Sequence, residues 1–406
     1  MDMNNFTDMN IDDFENFNPR YRRKQKNLGF IIFLIIFLTL CVLSVAATVA
    51  GVIYVKKNFK FKYNEITSDS QELGVNEKEN EDKIVNIALF GIDTTNPNSF
   101  KGRSDSIMIL SINKTTAQIK LISVLRDSLV PIDHGTWTDL AKVNSAYASG
   151  GPETAIKTLN KSFGLDISEY ATVNFYGMAD IIDTMGGVEV PVTDAEVSLL
   201  NSGVKEHCRN MGINSSSHTI SKSGIQRLNG IQAVAYSRIR YAPNAEGTAN
   251  DYGRTDRQRY VLSQLFNSVK SKSKTEYVTL IKALSPCCET SLSYSEIFSL
   301  AIDVLLKKPT FKESRVPDAN YIMTAPTTDL GAVAYYDLNF AANLIHAFIY
   351  EDIKPEDFIS TFGIEQNDWF SQGFRKPNIV SYKERLEKAE NSQNGISAES
   401  QIVAEN

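Results

Sequence analysis

The chain has 406 residues, 42% of them hydrophobic and 22% charged, which suits one large or two ordinary domains with a proper core and excludes a disordered protein. Its 42 basic and 48 acidic residues give a formal charge of -6, too balanced for a nucleic-acid binder driven by bulk electrostatics. Any anionic ligand must therefore be met by a local cluster of Arg or Lys.

In chain order, a short polar tail (1–27) carries Arg20, Arg22, Arg23, Lys24 and Lys26. From Leu28 to Val55 no residue is charged, a run longer than the roughly 20 residues needed to cross a bilayer, so a transmembrane helix is expected over 28–55. Its apolar stretch also exceeds the roughly 7 to 15 residues of a cleaved signal core. The basic cluster before it favours a cytoplasmic amino terminus with everything that can fold outside. Residues 56–82 read as a linker, polar and acid-rich from Asn64 to Lys83.

The folded region then alternates. Strands are expected at Ile84–Phe90, Ser106–Ile112 and Ile119–Val124, the last two joined by a hairpin turn through Asn113–Thr116. Pro152 opens a helix that Gly164 closes. Strand, helix and strand follow at Ala171–Phe175, Met178–Met185 and Val188–Val192, with Gly186 and Gly187 in a tight turn. The Ser-, Asn- and Gly-rich stretch from Glu196 to Gly224 reads as an inserted surface loop. Further helices are expected at Gln258–Val269, Tyr277–Leu284, Tyr294–Leu306 and Leu338–Tyr350. This pattern indicates an α/β fold with a mixed sheet, a core over 83–272, a continuation over 273–355 and a polar tail over 356–406.

The hairpin has a consequence for chemistry. Asp105 enters one strand and Arg126 leaves the next, so both lie at the same sheet edge; Asp93 joins them if the first strand is antiparallel to the second, and Arg103 sits in the loop beside them. Two converging carboxylates suit a hard divalent cation completed by substrate phosphate oxygens. Ordinary loop capping with a salt bridge to Arg103 fits the same pair. A second cluster weighs towards an anion site. Arg238 and Arg240 would face one side of an extended chain, and Arg254, Arg257 and Gln258 would share a helix face. Arg238 to Arg259 contains five arginines and no lysine. Guanidinium groups bind phosphate through paired hydrogen bonds, and several together point to a pyrophosphate-like ligand. A solvated basic helix face is the blander alternative.

Other chemistries find no support. His134, His207, His218 and His346 lack metal-ligand spacing and read as surface or loop residues. Cys41, Cys208, Cys287 and Cys288 form no spaced pair and read as free thiols, although Cys287 or Cys288 could reach Cys208 in an oxidising compartment. Neither a Gly-x-Ser-x-Gly setting nor a Gly-x-x-x-x-Gly-Lys loop is present.

These residues fall in order within Leu89-Phe-Gly-Ile-Asp93, Gly102-Arg-Ser-Asp105, Ser123-Val-Leu-Arg126-Asp127, Lys142-Val-Asn144, Tyr236-Ser-Arg238-Ile-Arg240 and Asp251-Tyr-Gly-Arg254-Thr-Asp-Arg257-Gln258. The set resembles a LytR-CpsA-Psr domain over about Lys83 to Lys272. The resemblance implies an αβα sandwich with a mixed central sheet and an apolar groove for a polyprenyl tail. It implies a phosphotransferase, a polyisoprenyl-teichoic acid or other glycopolymer–peptidoglycan transferase, moving a teichoic acid, capsular or similar glycan from polyprenyl pyrophosphate to peptidoglycan with Mg2+. By position, Asp93 and Asp105 resemble metal carboxylates, and Arg103, Arg126, Arg238, Arg240, Arg254 and Gln258 resemble pyrophosphate binders. Arg126, Asp105, Asp127 and Asp251 match positions of the catalytic set. The setting implied is a bacterial membrane of Gram-positive type, with no nucleic-acid partner. Leu125 stands where the family commonly has Pro, which would shift the Arg126 loop. A membrane-bound transcriptional attenuator, a lipid-pyrophosphate phosphatase and a glycolipid receptor are the competing readings.

Overall fold

The computed structural model describes residues 57–75, 83–270, 274–305, 309–318 and 329–355, with a few single positions beside them. The expected cytoplasmic tail, the membrane-spanning run except Tyr54, and all of 356–406 except Asp357 and Phe358 lie outside the described residues. Among the described residues no helix is long and apolar enough to cross a membrane. The chain divides into two units, 1–58 and 59–406, and the architecture that follows is that of the second.

The elements run β1 (Lys62–Tyr63), β2 (Ile84–Ile92), β3 (Ser104–Asn113), β4 (Gln118–Val124), β5 (Leu129–Asp133), β6 (Thr138–Lys142), α1 (Asn144–Phe163), β7 (Glu169–Asn174), α2 (Phe175–Thr184) and β8 (Val188–Val192). After these come α3 (Asp194–Met211), β9 (Gly224–Leu228), α4 (Gly230–Ser237), α5 (Asn250–Lys270), α6 (Lys274–Leu284), β10 (Cys288–Thr290), α7 (Tyr294–Leu305), β11 (Thr310–Val316) and α8 (Leu338–Tyr350). A seven-stranded sheet has the order β1-β10-β7-β2-β3-β4-β11. It is mixed: β3 is antiparallel to its neighbours β2 and β4, whereas β7 lies parallel to β2 and β11 parallel to β4.

Alternating residues of β2 and β3 explain how the sheet is covered on both faces. Ala88, Phe90, Ile107 and Ile109 pack with α1 and α8 in one core. Ile87, Ile112 and Ile119 turn the other way, against Phe266 of α5 and Leu300 of α7. A third core joins α2, α3 and α4 to the antiparallel β8–β9 pair.

The β3–β4 turn forms as expected, with Asn113 Oδ1 accepting from the N–H groups of Thr115 and Thr116 at 2.9 and 3.0 Å. Helix α1 breaks at Gly150 and Gly151, immediately before Pro152, and ends at Gly164 with φ 64°.

Several expectations are corrected. Most of Glu196–Gly224 is helix α3 rather than an inserted loop, started by a capping box between Thr193 and Glu196. Of the expected linker, the described residues 59–75 are docked rather than free. Phe59 and Leu73 are each 2% exposed, β1 pairs with β10, and Asn160 donates to the Leu73 carbonyl at 2.9 Å. The core does not end at residue 272, because β10 and β11 of the continuation are strands of the main sheet. The start of the polar tail also packs, Phe358 against Phe340 at 5.7 Å between ring centroids. His207 and His346 are buried, not surface residues. Cys208, Cys287 and Cys288 are free thiols as expected.

Candidate functional site

The charged residues gather where β2 and β3 end. Gly91 pairs with Ser106 and Ile92 with Ser104, so Asp105 is the extra residue of a β-bulge. A bulge re-aims the side chain it carries, and here Asp105 Oδ2 accepts from Arg126 Nη1 at 2.5 Å. Gly102 lies close against this turn with φ 147°, and a Cβ there would meet the Asp93 carbonyl oxygen at 2.8 Å. Only glycine fits both the angle and the space.

Arg126 leaves β4 on a loop pinned by backbone bonds. Leu125 N–H donates to Val316 O at 2.9 Å, Asn144 N–H to Arg126 O at 3.2 Å, and Ala334 N–H to Asp127 O at 2.8 Å. Leu125 has a buried side chain and a used N–H, a bond that proline could not make.

Around Asp251 three guanidinium groups converge. Its Oδ1 lies 2.9 Å from Arg254 Nη2, 3.4 Å from Arg240 Nε and 3.7 Å from Arg126 Nε. Yet Asp251 Oδ1 and the Nε atoms of Arg126, Arg240 and Arg254 are buried without a hydrogen-bond partner. Buried donors left in this way are costly unless a ligand meets them, and three guanidinium groups offering N–H donors at one place form a cradle for an oxyanion. Burial lowers Arg254 to about 10, which leaves it cationic at neutral pH. Burial also works against the charge of Arg126, but Asp105, Asp251 and Asp127 outweigh it and its pKa is raised. Asp127 is held by Lys142 at 2.9 Å.

Asp93 follows β2, and the antiparallel pairing of β2 with β3 brings it to the same edge as expected. Its nearest cation is Arg238 at 3.9 Å. Burial, followed by the like charges of Asp105 and Glu206, raises its pKa against the opposing pull of Arg238 and Arg126. No group of three or more His, Cys, Asp or Glu side chains able to hold a metal exists among the described residues. Arg103 is exposed, and its backbone carbonyl rather than its side chain meets Asp93, accepting from Asp93 N–H at 3.3 Å. The salt bridge to Arg103 weighed as an alternative is not formed.

Two geometric expectations for the arginines fail. Tyr236 and Ser237 end helix α4 and Arg238 caps it, so Arg238 and Arg240 do not alternate along a strand. They diverge to Asp93 and Asp251 respectively. Arg257 does not share the site face of Arg254. It is fully buried, donating to Glu196 Oε1 at 2.6 Å and to the carbonyls of Ile239 at 3.0 Å and Ala242 at 2.8 Å. One turn of helix separates Arg254 from Gln258, which lines an apolar cavity.

That cavity, about 260 Å3, lies between the sheet and helices α2, α4 and α5. Leu89, Met108, Val173, Met178, Val261 and Leu262 line its wall, and Gly91, Ser106, Ser237 and Gln258 form its polar margin. The margin residues are chain neighbours of Asp93, Asp105, Arg238 and Arg254, and the Arg238 guanidinium stands 4.7 Å from the Phe175 ring, which also lines the cavity. The resemblance implied an apolar groove but not its lining, and sequence reasoning missed the Asp105 bulge. The Gly91–Ser106 pair was the available signal, since a Cβ at Gly91 would sit 2.9 Å from Ser106 Cβ.

Fold and site together define an α/β protein with a cluster of arginines and carboxylates whose chain neighbours form the polar margin of an apolar cavity. A family model described as the LytR_cpsA_psr family matches residues 49–340. Polyisoprenyl-teichoic acid--peptidoglycan teichoic acid transferase TagU of Enterococcus faecalis is 31% identical over 281 residues, covering 68% of this chain and 84% of that protein. Biofilm regulatory protein A of Streptococcus mutans is 28% identical over 284 residues, covering 67% of this chain and 65% of the relative. The transferase TagV of Bacillus subtilis is 28% identical over 54% of this chain and 52% of its own length. This chain thus spans less than two thirds of the last two. Among solved structures, protein gbs0355 of Streptococcus agalactiae has a TM-score of 0.52 at 23% identity, covering 70% of this chain and 90% of that one. A structure described as "TagT bound to LI-WTA" has a TM-score of 0.50 at 20% identity, covering 74% and 100%. At these identities the structures speak for the fold alone. The chain belongs to the LytR-CpsA-Psr family.

Proposed function

We propose that this protein is a membrane-anchored glycopolymer phosphotransferase that takes a polyprenyl-pyrophosphate-linked glycan and attaches it to a peptidoglycan hydroxyl outside the cell. The observation that carries this reading is an apolar cavity whose margin residues Ser237 and Gln258 lie beside Arg238 and one helical turn from Arg254 in the chain, together with buried Nε atoms of Arg126, Arg240 and Arg254 that make no hydrogen bond. A ligand that is hydrocarbon at one end and polyanionic in the middle satisfies both. The names of TagU and TagV as teichoic acid transferases support it at family level.

In this reading the prenyl chain enters the cavity lined by Leu89, Met108, Val261 and Leu262, and the diphosphate meets Arg126, Arg240 and Arg254, with Arg238 and Arg103 at its margin. Gln258 offers an amide between the two regions. The acceptor hydroxyl oxygen bonds to the phosphorus that bears the glycan. The bond from that phosphorus to the bridging oxygen breaks, polyprenyl phosphate leaves with the electron pair, and the hydroxyl proton passes to a site carboxylate. Positioning and charge stabilisation carry most phosphoryl transfers, so no Ser or His nucleophile is required. Asp105, Asp127 and Asp251 hold the arginines in place.

A divalent cation fits the residues present. The arginines are largely matched by carboxylates, so a dianionic diester calls for added positive charge. Asp93 and Asp105 are hard oxygen donors at one edge, and Asp93 is only loosely paired. Mg2+, which commonly takes one or two carboxylates plus phosphate oxygens, would supply that charge between them.

The test is incubation of the full chain with a synthetic polyprenyl-pyrophosphate disaccharide and peptidoglycan oligomers, with and without Mg2+, read by mass spectrometry. A phosphodiester-linked adduct that depends on Mg2+ and is lost in Asp105→Ala is expected. Lipid phosphate released together with free sugar phosphate would replace the transferase by a phosphatase. Tight binding without turnover would replace it by a receptor.

A further inference from the structure

A hollow of about 420 Å3 lies along β11, the last strand of the sheet, whose outer edge meets no other strand among the described residues. Lys312, Glu313 and Arg315 of β11 line it, with Asp318 beyond the strand, Arg259 from α5 and Lys354 from the segment after α8. Cationic side chains thus reach it from three separate parts of the fold. On α5, Arg259 follows Arg254 by five residues, about 140° around the helix, so it faces away from the cluster at Asp251.

The ion pairs here leave donors over. One oxygen, Asp256 Oδ1, accepts from both Arg259 Nη2 at 2.5 Å and Arg315 Nη1 at 2.9 Å. The other carboxylates stand farther off, Glu313 at 3.9 Å from Arg259 Nε and Asp318 at 3.9 Å from Arg315 Nε. Lys312 is held by Asp352 at 2.6 Å, but Asp352 also serves Lys120 at 3.1 Å. Lys354 is exposed at the rim. The Arg259 side chain is 12% exposed, and its Nε and Nη1 are buried without a hydrogen-bond partner. Buried N–H groups of this kind are costly unless an acceptor meets them. Burial raises the pKa of Glu313 against the pull of Arg259, with Asp256 and Glu246 adding to the rise, so an arriving anion meets a carboxylate that is easily neutralised.

Bracing α5 against the sheet accounts for the bonds of Arg259 and Arg315 to Asp256. It leaves two donors of Arg259 unused and a hollow beside them. Guanidinium and ammonium groups converging from several directions suit a tetrahedral oxyanion, whose oxygens accept from several donors at once.

We propose that the hollow between β11, α5 and the segment after α8 is a second oxyanion site, separate from the Arg126–Asp251 cluster, and that it takes a phosphate group. That group is either free inorganic phosphate or a phosphodiester unit of a polymer lying along the open sheet edge. The site does not depend on the donor reading given above and adds a second anion to the helix that carries Asp251 and Arg254.

The experiment is calorimetry on the full chain in detergent, at low and constant ionic strength. Its two probes are inorganic phosphate and glycerophosphoglycerol, a phosphodiester of two glycerols. Wild type, Arg259→Gln, Lys354→Glu and Arg126→Ala are compared. Arg259→Gln and Lys354→Glu are each expected to weaken one binding component by about three- to tenfold, and Arg126→Ala to leave that component unchanged. Lys354 is exposed, so its variant keeps the test valid if Arg259→Gln lowers the melting temperature. Tighter binding of inorganic phosphate assigns the site to the free ion; tighter binding of the diester assigns it to a polymer. Binding unchanged in both variants, or weakened only in Arg126→Ala, would overturn the second site, and so would no binding of either probe by the wild type. None of these outcomes touches the transferase reading, which stands or falls on turnover of the lipid-linked donor.

Discussion

Arg257 Nε donates to Glu196 Oε1 at 2.6 Å, and both side chains are fully buried. The other guanidinium nitrogens of Arg257 hold the carbonyls of Ile239 and Ala242, which bracket Arg240 and follow Arg238. Glu196 uses its second oxygen to accept from Thr193 N–H at 2.7 Å, closing the start of α3. One buried ion pair thus ties α3, α5 and the loop carrying two site arginines.

Arg257→Met strands the Glu196 carboxylate, and loss of one partner of a buried pair costs about 3–5 kcal/mol. Pairing it with Glu196→Gln removes the stranded charge, so stability measured by denaturant unfolding is expected to recover in part. Transfer activity is not expected to recover, because nothing then holds the Ile239 and Ala242 carbonyls. Full activity in the double variant would show that Arg257 has no positioning role.

Arg126→Ala leaves Asp105, Asp127 and Asp251 without their shared cation. Arg238→Ala removes the margin of the cradle. Each is expected to lower transfer by about 100-fold or more, the scale of losing an oriented donor to a transition-state oxyanion. Far-UV circular dichroism should be retained. Wild-type transfer rates from either folded variant would sink the site assignment.

The docked segment before β2 makes a separate prediction. A chain beginning at Lys56 keeps Phe59, β1 and Leu73, whereas one beginning at Glu77 loses all three. Phe59 packs edge-on against Phe298 with 5.1 Å between centroids, and Leu73 belongs to the main core. Phe59→Ala and Leu73→Ala are each expected to cost about 2–5 kcal/mol. Equal melting temperatures for the two truncated chains would show that the segment adds nothing.

Asp133, at the end of β5, is bonded by Lys161, with Lys157 at 3.4 Å. The Lys161 hydrogen bond is the main cause holding its carboxyl well below the usual carboxylate range. A depressed folded-state pKa gives stability that is complete above the unfolded value, near 3.9, and is lost as pH falls below it towards the folded value. Asp133→Asn should therefore melt below wild type at pH 7, and the gap should narrow as pH drops below about 4. A gap independent of pH down to about 2 would show that the carboxylate charge is not responsible.

The sequence by itself determined the local relations. An antiparallel hairpin is built from neighbouring residues, so the meeting of Asp105 with Arg126 was legible from strand periodicity and one turn. The central strands and most helices were legible for the same reason, and the order of motifs carried the family. Only the tertiary structure decided which way Arg257 points. On α5 it lies about 60° from Arg254 and about 100° from Gln258, close enough to be grouped with either, and packing against the Ile239–Ala242 segment sends it inward. The strands β1 and β10, of two and three residues, establish no period, and the seven residues of β11 alternate poorly; these strands and the docking of Phe59 and Leu73 were likewise invisible, because their placement depends on distant partners. Helix α3 was obscured by its Ser, Asn and Gly content, its burial resting on Leu200, Val204 and a glutamate neutralised by an arginine far along the chain. Periodicity records which residues share a face, and long-range packing decides what that face meets.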